Sequence, residues 1–268
     1  MTSAHSTESA RGPRRPVLVL CELGDAGAHG VESHSPFCLK VHRALRASGL
    51  PYERRHGGAP GDFAKENPLG QVPVLLVDGE PVADSTQILR RVEEIAGPFG
   101  GEMDPRKEAE AWLWEELADT SLNGFLVAAR WADERNWPLV RRWYFGHAPW
   151  LVRTLLAPVV RWKVVRALVA RDVWRGGAEA CWERFLTLLD QLEHRAPKSG
   201  FWLGERLTVA DIALFAQLQS IRTPLTPWQA HAVSQKASLR GWLDRVDAAT
   251  RAPAAQPRRF GGSVAAAA

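Results

Sequence analysis

The 268-residue sequence predicts two unlike halves, a small mixed α/β domain followed by a larger all-α domain. Three observations predict this. Apolar β-rich runs are confined to the first half, while the second half shows long helical periodicity. All twelve tryptophans lie from Trp112 onward, so the composition changes sharply near residue 100. Between the halves, Gly97-Pro98-Phe99-Gly100-Gly101 followed by Asp104-Pro105 supplies the Pro/Gly-rich segment that a boundary needs. The expected layout is a tail over 1–15, a first domain over 16–96, a linker over 97–105, a helical domain over 106–250 and a second tail over 251–268. Both tails lack apolar patterning and are expected to be disordered.

Taken in chain order, Pro16 to Glu22 is an apolar β-rich run. Pro36 to Gly49 has the helical spacing Phe37, Val41, Leu45 and ends on glycine. Tyr52 to Arg55 reads as a short strand and Val72 to Val77 as another. Asp78-Gly79 is a strong hairpin signal, Pro81-Val82 restarts on its far side, and a helix follows from Ser85 to Ala96. The order β-α-β then β-hairpin-β-α describes a small mixed sheet with one right-handed crossover, a thioredoxin-like pattern. The second half reads as a helical bundle: Lys107 to Arg135, a middle block from Trp137 to Arg175, Ala178 to Arg195, Val209 to Ser220 and Ser238 to Ala249.

Composition narrows the function. A net charge of +4 is too small for wholesale phosphate neutralisation, so no nucleic-acid role is expected. Three scattered cysteines, Cys21, Cys38 and Cys181, cannot form a disulfide framework and point to a reducing compartment. No uncharged stretch is long and apolar enough to span a membrane, and the run Val17 to Cys21 is too short for a signal-peptide core. A cytoplasmic protein is expected.

Three short segments carry the candidate chemistry. Ser35-Pro36-Phe37-Cys38 opens the first helix, where unpaired N–H groups and the positive dipole end lower the pKa of a thiol placed there. Serine then proline is also what any helix start prefers, so Ser35 reads equally as an N-cap. Cys38 stands one turn in, where a resolving cysteine would sit, or else it is inert core. In Gln71-Val72-Pro73-Val74, a proline at the second strand position removes a ladder donor, which an edge strand or a cis bond would resolve. A cis Val72-Pro73 bond would turn the Val72 N–H and C=O outward to meet an extended peptide-like ligand. Asp84-Ser85 precedes the next helix, with Ser85 as the N-cap candidate; an acid and a hydroxyl there suit an α-amino-acid group.

Together, in this order and spacing, these segments resemble the glutathione transferase superfamily over roughly residues 16–250. The stretch Phe201 to Asp211 looks like that family's helical-domain signature, and Thr208 with Asp211 is a capping-box-like helix start. The resemblance implies a thioredoxin-like domain joined to a helical bundle, enlarged here, and a homodimer using glutathione as co-substrate with a small apolar or anionic electrophile. By the same resemblance Ser35 is the catalytic residue, activating the glutathione thiol, and Phe37, Gln71, Val72, Pro73, Asp84 and Ser85 bind glutathione. The SPFC segment looks intermediate between omega-like and zeta- or theta-like members. In its long loop from Gly24 to His34 and its enlarged helical domain the chain is also similar to the metaxin and failed-axon-connections branch, whose members are not all enzymes. A non-catalytic binding protein of the same fold is therefore the alternative.

Within 135–175, nine Lys or Arg stand against one acid, Asp172, a local charge of +8 interleaved with Trp143, Trp150, Trp162 and Trp174. Such a block suits a membrane surface, an acidic partner or an anionic substrate, or is a solvated face. Cys38 and His42 lie four apart on one helix, but no second ligand pair has metal-site spacing, so no metal is expected. No phosphate-binding glycine motif follows a strand.

Overall fold

The computed structural model describes residues 15–23, 31–58, 60–146 and 148–251. Segment 24–30 of the long loop, and the expected tails apart from Arg15 and Arg251, lie outside the described residues. The first half contains β1 (Leu18–Leu23), α1 (Pro36–Ser48), β2 (Glu53–Gly57), a 3-10 turn (Pro60–Phe63), β3 (Val74–Val77), β4 (Glu80–Ala83) and α2 (Ser85–Ala96). They form one four-stranded sheet in the order β2-β1-β3-β4. β1 runs parallel to β2 and antiparallel to β3, and β3 is antiparallel to β4.

Local chemistry explains these boundaries. Asp78 and Gly79 have φ of 52° and 93°, the left-handed pair that a tight β3–β4 hairpin needs. The Asp78 carboxylate also accepts from the Val17 N–H at 2.9 Å, pinning the start of β1 to the hairpin. α1 begins on Ser35, whose Oγ accepts from the Cys38 N–H, with Pro36 in the first turn, and ends on Gly49 at φ 67°. The strand expected from Val72 begins two residues later, because Val72-Pro73 is cis and stands just before β3. β3 lies between β1 and β4, so the edge-strand alternative for Pro73 does not hold.

The second half is helical: α3 (Pro105–Leu117), α4 (Asn123–Val127), α5 (Trp137–Phe145), α6 (Ala157–Ala170), α7 (Gly177–Arg195), α8 (Val209–Ile221), α9 (Pro227–Ser234) and α10 (Ala237–Thr250). The single helix expected over 107–135 is α3 and α4 linked and extended by π-helical turns at Ala118–Leu122 and Ala128–Ala132. A third π turn at Val152–Leu156 leads into α6. α9 has no counterpart in the sequence reading; its eight residues are too few to show a periodic stripe. α8 is buried on nearly every side and packs on α1, α3 and α10. One continuous apolar cluster consequently joins the sheet side, through Leu20, Val41 and Leu89, to Phe215 and Trp242.

The start of α8 shows how a buried charge is accommodated. Asp211 is fully buried, and its carboxylate accepts from the Trp202 N–H (2.7 Å), the Thr208 N–H and hydroxyl (2.9 Å each) and the Trp242 indole N–H (2.9 Å). The two indole rings meet edge-on at 4.9 Å beside it. Asp211→Ala strands four donors in a dry interior, and urea unfolding is expected to show a loss of about 3 kcal/mol or more, against about 1 kcal/mol for Thr208→Ala. Equal, sub-kilocalorie losses would contradict the role assigned to this carboxylate.

Candidate functional site

The sheet topology brings the three candidate segments to one end of the molecule. β3 begins where β1 ends, with Val74 opposite Cys21, and Val74 also faces Ala83, the last residue of β4. The Val72-Pro73 turn, the end of β4 with Asp84, and the starts of α1 and α2 therefore share the C-terminal edge of β1. Val72 lies outside the ladder, half-buried, beside exposed Gln71, whose carbonyl accepts from the Asn67 side-chain amide at 3.0 Å.

Ser35 is half-buried, as is Phe37. Its position is set from both sides: its N–H donates to Ser33 Oγ at 3.2 Å, and the Ser33 hydroxyl donates to the Leu23 carbonyl at 2.7 Å. Its own Oγ receives the Cys38 N–H at 3.3 Å, which leaves the hydroxyl proton for another acceptor. The Cys38 thiol lies on the same side, within hydrogen-bond reach of the Ser35 and Ser33 hydroxyls and the Leu23 backbone. Cys38 is fully buried, and burial pushes its thiol up to about 12, with nearby Glu22 adding to the rise. The structure makes it core packing rather than a nucleophile. The Cys38–His42 pairing does not form either. His42 meets the Tyr52 hydroxyl at 2.7 Å, and burial together with Arg54, Arg46 and Arg43 drives its pKa down to about 2, so its ring is neutral. Among the described residues no cluster of His, Cys, Asp or Glu has metal-binding geometry.

At α2 the structure changes the assignment of the cap. Asp84, not Ser85, is the N-cap: its Oδ1 accepts from the Thr86 and Gln87 N–H groups at 2.9 and 3.1 Å. Those bonds hold Asp84 at φ 73°, a conformation non-glycine residues rarely adopt. Ser85 is 5% exposed and belongs to a buried network that sequence reasoning did not find. The Lys40 ammonium, fully buried, donates to Ser85 Oγ at 3.3 Å, to Asp119 Oδ2 at 2.5 Å and to Glu115. Thr86 donates to the same Glu115 oxygen at 2.5 Å, and Gln217 donates to Asp119 at 3.3 Å. One cation thus joins α1, α2, α3, the first π turn and α8. Its signal was present in the sequence, since Lys40 stands on the inward stripe of α1 between Phe37 and Ala44.

A second unanticipated group is Arg130, 4% exposed, in the second π turn. Its guanidinium donates to the His34 carbonyl (2.7 Å), the Tyr144 hydroxyl (3.1 Å) and the Ser220 carbonyl (3.1 Å). The Trp143 indole N–H reaches His34 Nδ1 at 3.1 Å. The residue immediately before Ser35 is therefore clamped by the helical half. Trp143 also lines a cavity of about 610 Å³, together with Leu139, Arg142, Arg153, Pro224 and Leu225. Arg142 and Arg153 are exposed and make no ion pair among the described residues, so the cavity combines apolar walls with two free cations.

Burial pushes the Asp119 carboxyl from 3.8 up to about 6, partly offset by Lys40. A carboxyl raised in the folded state holds a proton that the unfolded chain releases. Its contribution to stability is complete below pH 3.8 and is lost as pH rises through about 6. The stability advantage of the native chain over Asp119→Asn is therefore expected to shrink between about pH 4 and 6.5 in urea titrations. Parallel profiles would contradict it.

Both halves of the chain have counterparts among known proteins. A family model described as "Glutathione S-transferase N-terminal domain" matches residues 36–136, and one described as "Glutathione S-transferase, C-terminal domain" matches 175–248. The chain is 35% identical over 98 residues to Glutathione transferase GST 23 of Zea mays, covering 34% of this chain and 44% of that protein. It is 26% identical over 165 residues to Glutathione S-transferase 3 of Schizosaccharomyces pombe, covering 60% and 58%. These matches span less than two thirds of either relative. Among solved structures, that of Beta-etherase LigF from Sphingobium sp. strain SYK-6 has a TM-score of 0.57 at 25% identity, covering 87% of this chain and 95% of that one. A Pseudomonas fluorescens glutathione transferase family member with two glutathione bound has a TM-score of 0.57 at 17% identity, covering 87% and 90%, a likeness of fold. With both halves matched and the fold shared, this chain belongs to the glutathione S-transferase superfamily.

Proposed function

We propose that this chain is a cytoplasmic, homodimeric glutathione transferase, with residues 16–96 holding glutathione and residues 106–250 supplying the electrophile pocket. The observation that carries the proposal is Ser35. It sits at a helix N-terminus, at the same sheet end as the Val72-Pro73 turn and the Asp84-Ser85 helix start, with a hydroxyl proton not used in its own cap. A tripeptide fits such an edge. The Val72 peptide group, beside Gln71, lies outside the ladder and is free to pair with the extended cysteinyl backbone. At α2, Asp84 already engages two N–H groups, so the γ-glutamyl carboxylate takes the Ser85 N–H and hydroxyl. Because Lys40 donates to Ser85 Oγ, the Ser85 proton points away from Lys40. The exposed side of the Asp84 carboxylate accepts from the ammonium, and half-buried Phe37 packs against the peptide.

Energetics suit Ser35 to thiol activation. A thiol of pKa about 8.5 to 9 must fall by about two units, roughly 2.7 kcal/mol, to be mostly thiolate near neutrality. A hydroxyl donating to the thiolate contributes about 1.5 to 3 kcal/mol, and the helix dipole up to about 1. The thiolate then attacks the electrophile: a sulfur–carbon bond forms and the leaving group departs with its bonding electrons, or, in thiol transfer, the thiolate attacks one sulfur of a disulfide substrate, a new S–S bond forms as the old one breaks, and the second sulfur leaves as a thiolate. Arg142 and Arg153 suit the cavity lined by Trp143 to an apolar electrophile bearing a negative charge.

Ser35→Ala is expected to cost about 1 kcal/mol of stability through the lost cap. It should also depress conjugation of a chromogenic electrophile at neutral pH, with the deficit narrowing as pH rises toward the free thiol's pKa. Superimposable pH profiles for the native protein and the Ser35→Ala variant would make Ser35 a helix cap only. Ser85→Ala is expected to weaken glutathione binding about tenfold or more in equilibrium titrations, through one lost charged hydrogen bond. Unchanged affinity in the folded variant would remove Ser85 from the site.

A further inference from the structure

Residues 137–174 fall between the two family matches, and this intervening block carries the chain's most unusual surface. Among the described residues, seven of the twelve large apolar side chains left exposed lie between Trp150 and Val169. They are not scattered. On α6, Ala157 and Leu168 are buried toward the π turns, whereas Val159, Trp162, Arg166 and Val169, spaced i, i+3, i+7 and i+10, share the opposite, outward face. Leu155 and Trp150, each 65% exposed, continue that face toward α5, and Trp162 is 58% exposed. The outward stripe runs the full length of α6, about 21 Å. Single exposed apolar side chains are ordinary; a contiguous face bearing two tryptophans marks a contact surface.

Charge selects what covers it. No Asp or Glu occurs from 136 to 171. Arg161 is structural, bonded to the Trp131 and Ala132 carbonyls and paired with Glu134. The cations that remain, Arg141, Arg142, Arg153, Lys163, Arg166 and Arg171, are all exposed and without an ion pair among the described residues. Two copies of this face would set those like charges against one another, which opposes self-association. The Arg166 guanidinium lies over the Trp162 ring at 5.3 Å, so the charge rides on the apolar face itself, as in side chains that keep their heads at a polar boundary.

We propose that α6 and the π turn before it dock the protein on an anionic lipid bilayer, lying in the interface plane with Leu155, Val159 and Trp162 inserted among the acyl chains and Lys163, Arg166 and Arg171 at the headgroups. The proposal is independent of the glutathione reading. No helix among the described residues is long and apolar enough to cross a membrane, so attachment is peripheral and reversible.

Flotation of the full chain with vesicles of about three parts phosphatidylcholine to one part phosphatidylserine tests it, against vesicles of phosphatidylcholine alone. The protein is expected to float with the anionic vesicles at about 0.1 M salt and to be released at about 0.5 M. Lys163→Gln, Arg166→Gln and Arg171→Gln combined should weaken partitioning about 100-fold. Leu155→Ser with Trp162→Ser should abolish it, with melting temperatures near that of the native protein because these side chains face solvent. Three flotation results would each overturn the proposal: native protein left at the bottom of the gradient with anionic vesicles, equal flotation with phosphatidylcholine alone, or full flotation of the triple glutamine variant. A concentration-dependent dimer that Trp162→Ser dissociates would overturn it in favour of a second copy.

Discussion

A fully buried ammonium group organises this molecule. Lys40 sits inside the joint between the sheet side and the helical side, and an unpaired charge there would cost several kcal/mol, a large part of a domain's net stability. It is tolerated only because Glu115 and Asp119 arrive from the helical side and Ser85 from the start of α2. The requirement is reciprocal. Removing Lys40 would leave two carboxylates facing each other in the same space, the arrangement in which breaking a buried pair costs about 3 to 5 kcal/mol. Satisfying one charge thus fixes α1, α2 and α3 relative to one another and to the central helix α8, which reaches the network through Gln217.

The edge proposed to hold glutathione inherits that rigidity. Ser85 cannot rotate freely while Lys40 holds its oxygen, and Ser35, on the same helix as Lys40, is clamped from the other direction through His34 by Arg130 and Trp143. Both polar anchors proposed for glutathione are therefore set by groups reaching across the two halves. The π turns supply these groups: Asp119 sits in one and Arg130 in the next. Extra residues inserted in a helix redirect side chains, and such turns occur often at functional sites. The basic block beyond residue 136 adds Trp143 to the clamp while leaving, among the described residues, seven large apolar side chains between Trp150 and Val169 exposed.

Most of the fold was legible from local signals that physics makes nearly unambiguous. Asp78-Gly79 demanded a tight hairpin, Ser35-Pro36 a helix start and Gly49 its end, and the Thr208/Asp211 pairing a capped helix; each is where the pattern placed it. What escaped depends on side chains meeting across long sequence separations. Asp84 rather than Ser85 caps α2 because Ser85 is drawn inward to Lys40, 45 residues away, and no local rule contains that contact. The motif position of Cys38 leaves a resolving thiol and inert core both open, and only its burial, a property of the packed core, favours the second. The π turns are similarly silent, since the helical stripe of 107–135 predicts one regular helix and registers no extra residue.

If this rigid edge holds glutathione as proposed, Lys40 maintains the geometry of the site. Calorimetric titration of glutathione into the full chain, and into Lys40→Met and Lys40→Arg variants shown to be folded, tests it most directly. Saturable binding at one site per chain is expected for the native protein, with a loss of about tenfold or more in the Met variant and partial rescue by Arg, which keeps the charge. Heats of dilution alone for the native protein, or equal affinity in all three, would contradict the claim.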